Sequence, residues 1–128
     1  MRSITSIKTS LSAGSYDMML KSLYCRPVEM LGPYRDRIVR VLDGFMNEFG
    51  AGPDTEVAVY SAPGRTEIGG NHTDHQRGKV LTGSVDLDAI ACAAPNGSST
   101  VRIYSEGYGF TTVDISSLEP VKEEENTT

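Results

Sequence analysis

The chain has 128 residues, of which 38% are apolar, and this suits one domain with a modest hydrophobic core. Twelve basic and seventeen acidic side chains give a net charge of −5, which disfavours nucleic-acid binding because that needs a basic surface. No apolar run reaches the roughly 20 residues that span a bilayer, and no secretory signal follows Met1, so we expect a cytoplasmic protein without membrane contact.

The N-terminal part of the chain is predicted to be helical after an irregular arm. Residues 1–14 are rich in Ser and Thr and lack helical periodicity, so we expect them to form that arm. From Tyr16 to Tyr24 the apolar residues recur at helical spacing. A second helix is predicted to begin at Gly32-Pro33 and to end at Gly50, because Pro suits a first helical turn and Gly suits the position after a last one.

The rest of the chain is predicted to form strands and an acidic tail. The strand-like segments are residues 57–60, 85–94, 100–104 and 110–115. The segment 85–94 is nearly continuously apolar, so we expect a largely buried strand, and the turn signal Asn96-Gly97 predicts that the next strand pairs back onto it. Helices followed by strands indicate an α+β domain over residues 1–118 with a small mixed or antiparallel sheet, and residues 119–128 are expected to be disordered.

Residues 63–78 concentrate the polar chemistry of the chain, including both of its histidines. One interpretation is a metal site that uses His72, Asp74 and His75. A second is a sugar site, in which Asn71, His72 and Asp74 bind hydroxyl groups while Arg65 offers positive charge to an anion. A third is a polar turn with two solvated histidines.

Of the three interpretations, the metal site is the least favoured, and we expect no metal ligands in the chain. Catalytic zinc needs three protein ligands, and no downstream His or Cys pair completes a set. Cys25 and Cys92 are also too few for a disulfide framework. We expect both to be buried free thiols.

The run from Pro63 to His75, PGRTEIGGNHTDH, resembles the signature of the galactokinase family, which is usually written GRxNLIGEHTDY. Galactokinases belong to the GHMP superfamily of small-molecule kinases. The resemblance continues through Gly78 to Asp88 and covers roughly residues 56–107. It implies a partial GHMP-kinase N-terminal domain that binds galactose or a related hexose.

The resemblance also implies roles for individual residues. Arg65 matches the arginine near the sugar C1 hydroxyl and the transferring phosphoryl group, so it would bind substrate and stabilise charge during catalysis. His72 and Asp74 match the histidine and aspartate that contact the sugar. Glu67 and Asn71 stand where the family has Asn and Glu, so they too are expected to bind substrate.

A second motif of the superfamily, a Gly-Leu-Ser-Ser-Ser-Ala-like loop that wraps nucleotide phosphates, has no counterpart after Phe110. The family's catalytic Asp lies beyond that loop and has no counterpart either. The resemblance therefore implies the sugar-recognition portion of an ATP-dependent galactose 1-kinase, inactive by itself. It would hold no cofactor, since ATP and Mg belong to a full-length parent enzyme.

The alternative is a free-standing galactose-binding or sensing module without turnover. In the family, segments beyond this region cover its sheet. We therefore expect exposed sheet surface here and a possible homodimer formed through it.

Overall fold

The computed structural model describes residues 1–70, 77–117 and 119. They belong to two compact units, Met1–Ala94 and Pro95–Thr128. In chain order the elements are β1 (Arg2–Ser3), α1 (Ile4–Ser12), α2 (Asp17–Tyr24), a 3-10 turn (Val28–Met30), α3 (Gly32–Phe49), β2 (Glu56–Gly69), β3 (Leu81–Ala93), β4 (Thr100–Ser105) and β5 (Gly109–Asp114). All strand pairs are antiparallel, so the predicted α+β class is confirmed.

The irregular arm expected over residues 1–14 is wrong, because most of that segment is the helix α1. Ser3 caps the helix, and its hydroxyl accepts a hydrogen bond from the Ser6 amide at 3.2 Å. Ile4, Ile7 and Leu11 lie on one face of α1 and are buried. Their burial stabilises a helix that the low propensity of Ser and Thr would not support in isolation.

The two predicted helices are confirmed as α2 and α3. Leu20 and Tyr24 are the buried residues of α2, and Ile38 and Leu42 are those of α3. Gly50 ends α3 with a left-handed φ of 64°, and its amide donates to the carbonyl of Met46.

The core of the first unit comes almost entirely from its helical part. Its buried members are Ile4, Ile7, Leu11, Leu20, Tyr24, Leu31, Ile38, Leu42 and Val57. Val57 alone among these belongs to a strand. Between the helices and the sheet lies a groove of about 390 Å³ that is partly open to solvent and lined mostly by apolar side chains, including the exposed Met1, Met19 and Leu23.

The prediction that residues 85–94 form a largely buried strand is wrong. β3 alternates between exposed and half-buried residues, and Leu87 is 75% exposed. Ile90 and Cys92 pack against the core from one face only. Half-burial raises the pKa of the Cys92 thiol to about 11, whereas Cys25 at the end of α2 is exposed, contrary to the expectation that both thiols are buried.

β2 is longer than predicted and contains the start of the polar segment. It pairs with β3 from Ala58 opposite Ala93 to Gly69 opposite Leu81, with register shifts between Pro63 and Arg65 and again between Glu67 and Gly69. Residues 63–69 are therefore strand rather than connecting loop. β1 adds a short third strand at the start of β2.

The second unit contains the hairpin of β4 and β5. β4 pairs with β5 and not with β3, so the hairpin predicted at Asn96-Gly97 is wrong. The Asn96 side chain instead accepts a hydrogen bond from the Ser98 amide at 3.0 Å, a local turn that does not require strands on both sides. The acidic tail predicted over residues 119–128 lies, apart from Glu119, outside the described residues. In the described ranges, no helix is both long enough and apolar enough to cross a membrane.

Asp88 on β3 connects the sheet to both of the helices that follow α1. Its side chain, only 3% exposed, accepts hydrogen bonds from Arg37 of α3, from the Tyr24 hydroxyl of α2 at 2.9 Å, and from Ser61 of β2. Arg37 also donates to the backbone carbonyl of Asp88. Burial by itself would raise the pKa of Asp88, but the hydrogen bonds from Ser61, Arg37 and Tyr24 outweigh it and hold that pKa below its usual value.

We predict that Asp88→Asn lowers the free energy of unfolding at pH 7 by about 1.5–3 kcal/mol, as expected for loss of hydrogen bonds to a buried charge. Because the folded-state pKa of Asp88 is lowered, its stabilisation is present above the unfolded pKa near 4 and is lost as the pH falls through the folded pKa. Urea unfolding at pH 7, 4 and 3 should therefore show a smaller acid-induced loss in the variant than in the wild-type chain.

Asp86→Asn is the matched control for this prediction. Asp86 pairs with Arg26, but both side chains are more than two-fifths exposed, so solvent screens the pair and its loss should cost little. Equal destabilisation by the two substitutions would contradict the argument from burial.

Candidate functional site

Arg65 and Glu67 are the predicted site residues that the structure describes. They lie two positions apart on β2 and therefore on the same face of the strand. Arg65 pairs across the ladder with Ser84 and Glu67 with Thr82. The Nη2 atom of Arg65 lies 4.0 Å from Oε1 of Glu67, and the two side chains are 58% and 20% exposed.

The remaining predicted site residues, Asn71, His72 and Asp74, lie outside the described residues, as does His75. They follow directly in the sequence after Gly70. The structure thus brings together Arg65 and Glu67 on one strand. The sugar-contacting roles of the other three stay predictions.

Two glycines of the polar segment stand where the backbone has no room for a side chain. A Cβ added at Gly64 would lie 3.1 Å from both the carbonyl oxygen of Leu87 and Cγ2 of Val85. Gly70 has a φ of 107°, and an added Cβ would lie 2.5 Å from the carbonyl oxygen of Lys79. Gly70 therefore lets β2 and the chain before β3 approach more closely than any other residue would allow, whereas a side chain at Gly64 would require its neighbours to shift by a few tenths of an ångström.

The pairing of a guanidinium with a carboxylate gives this part of β2 a defined chemistry. Arg65 presents a fork of N–H donors with fixed positive charge, and Glu67 presents acceptor oxygens about 4.0 Å away. Such a pair offers donors and acceptors to a polyhydroxylated ligand, and the arginine also suits an anionic group. In residues 1–70, 77–117 and 119, no group of three or more His, Cys, Asp and Glu side chains is placed to hold a metal ion.

Sequence reasoning missed a polar cluster that joins β2 and β3 to α2 and α3. The cluster consists of Tyr24, Arg37, Ser61 and Asp88. A signal for it is present in the sequence. Asp86 and Asp88 interrupt an otherwise apolar strand. Carboxylates within an apolar strand require partners, and the arginines of the preceding helical region supply them.

The segment that contains Arg65 and Glu67 is similar to known proteins. Residues 43–95 match the family model described as "Galactokinase galactose-binding signature". The galactokinase of Bos taurus is 42% identical over 59 residues, which are 46% of this chain and 14% of that protein. The galactokinase of Homo sapiens is 38% identical over 65 residues, or 51% of this chain and 16% of that protein.

A bacterial relative gives the same result. The galactokinase of Lactiplantibacillus plantarum is 33% identical over 63 residues, or 47% of this chain and 16% of that protein. The matched region thus spans 14–16% of the length of these curated relatives. No solved structure matches the chain significantly. Over a region that includes Arg65 and Glu67, the chain is a galactokinase-related sequence that carries the galactose-binding signature of that family.

Proposed function

We propose that this chain is the sugar-recognition portion of an ATP-dependent galactose 1-kinase and that it is inactive by itself. The observation that carries the proposal is the galactose-binding signature over residues 43–95, within which Arg65 and Glu67 lie side by side on β2. A full-length parent enzyme would bind ATP and Mg through its phosphate-binding loop, for which this sequence has no counterpart.

The proposed roles follow from the chemistry of each side chain. Arg65 binds the sugar beside its C1 hydroxyl and would stabilise charge on a transferring phosphoryl group. Asn71, His72 and Asp74 bind hydroxyl groups, and Asp74 contributes most because a carboxylate accepts charge-assisted hydrogen bonds. Glu67 lies within 4.0 Å of Arg65, so it orients the guanidinium as well as accepting from a hydroxyl.

A galactose-binding or sensing module without turnover is the second candidate. It would bind sugar through the same signature over residues 43–95 and would not transfer phosphate. Both candidates require galactose binding. They differ in whether galactose 1-kinase activity appears when the phosphate-binding loop and the catalytic Asp are also present. We place either protein in the cytoplasm, where the free thiols of Cys25 and Cys92 would stay reduced.

We predict that galactose binds with millimolar affinity, or roughly −4 kcal/mol, and that Asp74→Ala abolishes detectable binding because loss of ~1.5–3 kcal/mol leaves too little to measure. The measurement is a proton NMR titration of the His72 ring signals with galactose and with glucose, which differ only at C4. His75→Ala is the control and should bind as the wild-type chain does, since the family has Tyr at that position. Ring signals that respond to micromolar zinc but to neither sugar would favour the metal site instead.

We predict that the purified chain does not phosphorylate galactose. In kinases of this superfamily, the phosphate-binding loop and the catalytic Asp supply most of the positioning and electrostatic stabilisation in phosphoryl transfer, and this sequence has a counterpart of neither. A coupled assay should show no galactose-dependent ADP release above the blank. Release that is present in the wild-type chain and absent in Arg65→Ala would contradict the prediction.

The adjacent glycines Gly69 and Gly70 give a matched test of the site's backbone. Gly70→Ala should weaken galactose binding and lower stability by about 1–3 kcal/mol, because it combines a positive φ with a Cβ that meets the backbone of Lys79 and Val80. Gly69→Ala should have a much smaller effect, since nothing lies within 4 Å of its added Cβ. Titration calorimetry and thermal unfolding of both variants measure the difference, and equal effects would refute this assignment.

The outer face of the β2–β3 ribbon is the surface that we propose for self-association. Three cross-strand pairs form it, namely Ala58–Ala93, Tyr60–Ala91 and Ala62–Ala89, together with Leu87. Tyr60 is 59% exposed and Leu87 is 75% exposed. A second copy related by a two-fold axis would place each Tyr60 against the small alanines of its partner.

Sedimentation should therefore give a species of about twice 13.8 kDa or larger across a tenfold concentration range. Tyr60→Lys should shift the equilibrium towards monomer, because it places a charge in the centre of an apolar contact. Tyr108→Lys, at a turn residue that is 92% exposed, is the control and should leave the association unchanged. A wild-type chain that sediments only as a monomer would refute the proposed interface.

A further inference from the structure

β3 contains a bulge directly before the point at which β2 presents its site residues. Pro63 pairs with Asp88, and the next pair in the ladder joins Arg65 to Ser84. Residues 85–87 therefore lie opposite Gly64 alone. Gly64 fits there because an added Cβ would meet the Leu87 carbonyl and the Val85 side chain at 3.1 Å.

The bulge is held from the helical side by two carboxylates. Asp86, within the bulge, forms an ion pair with Arg26, which follows α2. Asp88, at its end, binds Arg37 of α3 and Tyr24 of α2. Arg37 reaches both the carboxylate and the backbone carbonyl of Asp88, so it fixes the main chain as well as the side chain at this position.

The bulge decides which residues of β3 lie opposite Arg65 and Glu67: because residues 85–87 lie opposite Gly64, Ser84 pairs with Arg65 and Thr82 with Glu67. Side chains alternate along a strand, so a slip of one residue in this pairing would exchange the β3 side chains that share a face with Arg65 and Glu67 for those of the opposite face. Bulges re-aim side chains in this way and are frequent beside functional sites. Of the two carboxylates, Asp88 makes the more buried contact with the helices, since its side chain is 3% exposed while that of Asp86 is 44% exposed.

We propose that Asp88 is a positioning residue for the sugar site: by holding β3 on α2 and α3 at the end of the bulge, it fixes the register at which β2 presents Arg65 and Glu67. The inference rests on the proposed function, because Arg65 and Glu67 are taken as sugar-binding residues. Asp88 itself contacts no ligand in this proposal. Its effect is carried through the ladder to Arg65.

The first test compares galactose binding by the full chain with Asp88→Asn and with Ile7→Val. The second substitution trims a buried residue of α1, so it lowers stability without touching the bulge. At a temperature at which every variant is fully folded, we expect Asp88→Asn to bind galactose at least fivefold more weakly. Ile7→Val should change the affinity less than twofold.

The second test needs no sugar. Amide hydrogen exchange over residues 65–67 should become at least tenfold faster in Asp88→Asn, and the NMR signal of the Arg65 Nε–H should shift. Neither change should occur in Ile7→Val. If Asp88→Asn does not fold, Arg37→Lys takes its place, because it keeps the positive charge but loses the fork that reaches both the carboxylate and the backbone carbonyl of Asp88.

The outcomes separate the two proposals. A wild-type chain that does not bind galactose refutes the proposed function, and hydrogen exchange then decides the positioning role alone. A wild-type chain that binds, with an Asp88→Asn variant of unchanged affinity and unchanged exchange at residues 65–67, overturns the positioning role and leaves the proposed function standing.

Discussion

The contact between Arg37 and Asp88 connects the helical part of the first unit to its long two-stranded ribbon. The fully buried core comes mostly from the helical part, with Val57 as its one strand member, and the half-buried Val59, Ile90 and Cys92 pack against it from one face of the ribbon. Farther along β3, attachment depends on polar contacts that Asp88 makes with α2, α3 and β2. A buried carboxylate requires such partners, because desolvation without compensation would be costly.

Tyr24 has a part in both the apolar core and this polar cluster. Its ring is buried and stacks on Tyr34 with 4.1 Å between the ring centroids, while its hydroxyl donates to Asp88. Burial is the largest cause that raises the pKa of Tyr24, and the hydrogen bond to the Asp88 carboxylate is the second. The hydroxyl therefore remains a donor over the physiological pH range. The ring thus contributes buried apolar surface to the core, and the hydroxyl donates one of the hydrogen bonds that orient the Asp88 carboxylate.

The ribbon combines close backbone approach with little covering. Gly70 allows β2 and the chain before β3 to come together at a distance that a Cβ would prevent, and at Gly64 a Cβ would force its neighbours to shift. The outer face nevertheless consists of alanines with Tyr60 and Leu87 exposed, and a partly open groove lies between the helices and the inner face. Contacts between the two strands therefore fix the backbone of the galactose-binding signature. Much of the apolar surface around it stays exposed and is available for contacts with other segments or molecules.

The sequence by itself determined the helices α2 and α3, the α+β class and the segment that carries the signature, because helical periodicity, a terminal glycine and a run of specific side chains are local features. It did not reveal α1, whose Ser and Thr residues are poor helix formers until Ile4, Ile7 and Leu11 are buried. It predicts Arg65 and Glu67 as site residues, and the ladder places them on one face of β2. The bulge opposite Gly64 and the partners of Asp88 were settled only by tertiary structure, because strand register and a buried charge depend on residues far apart in the chain.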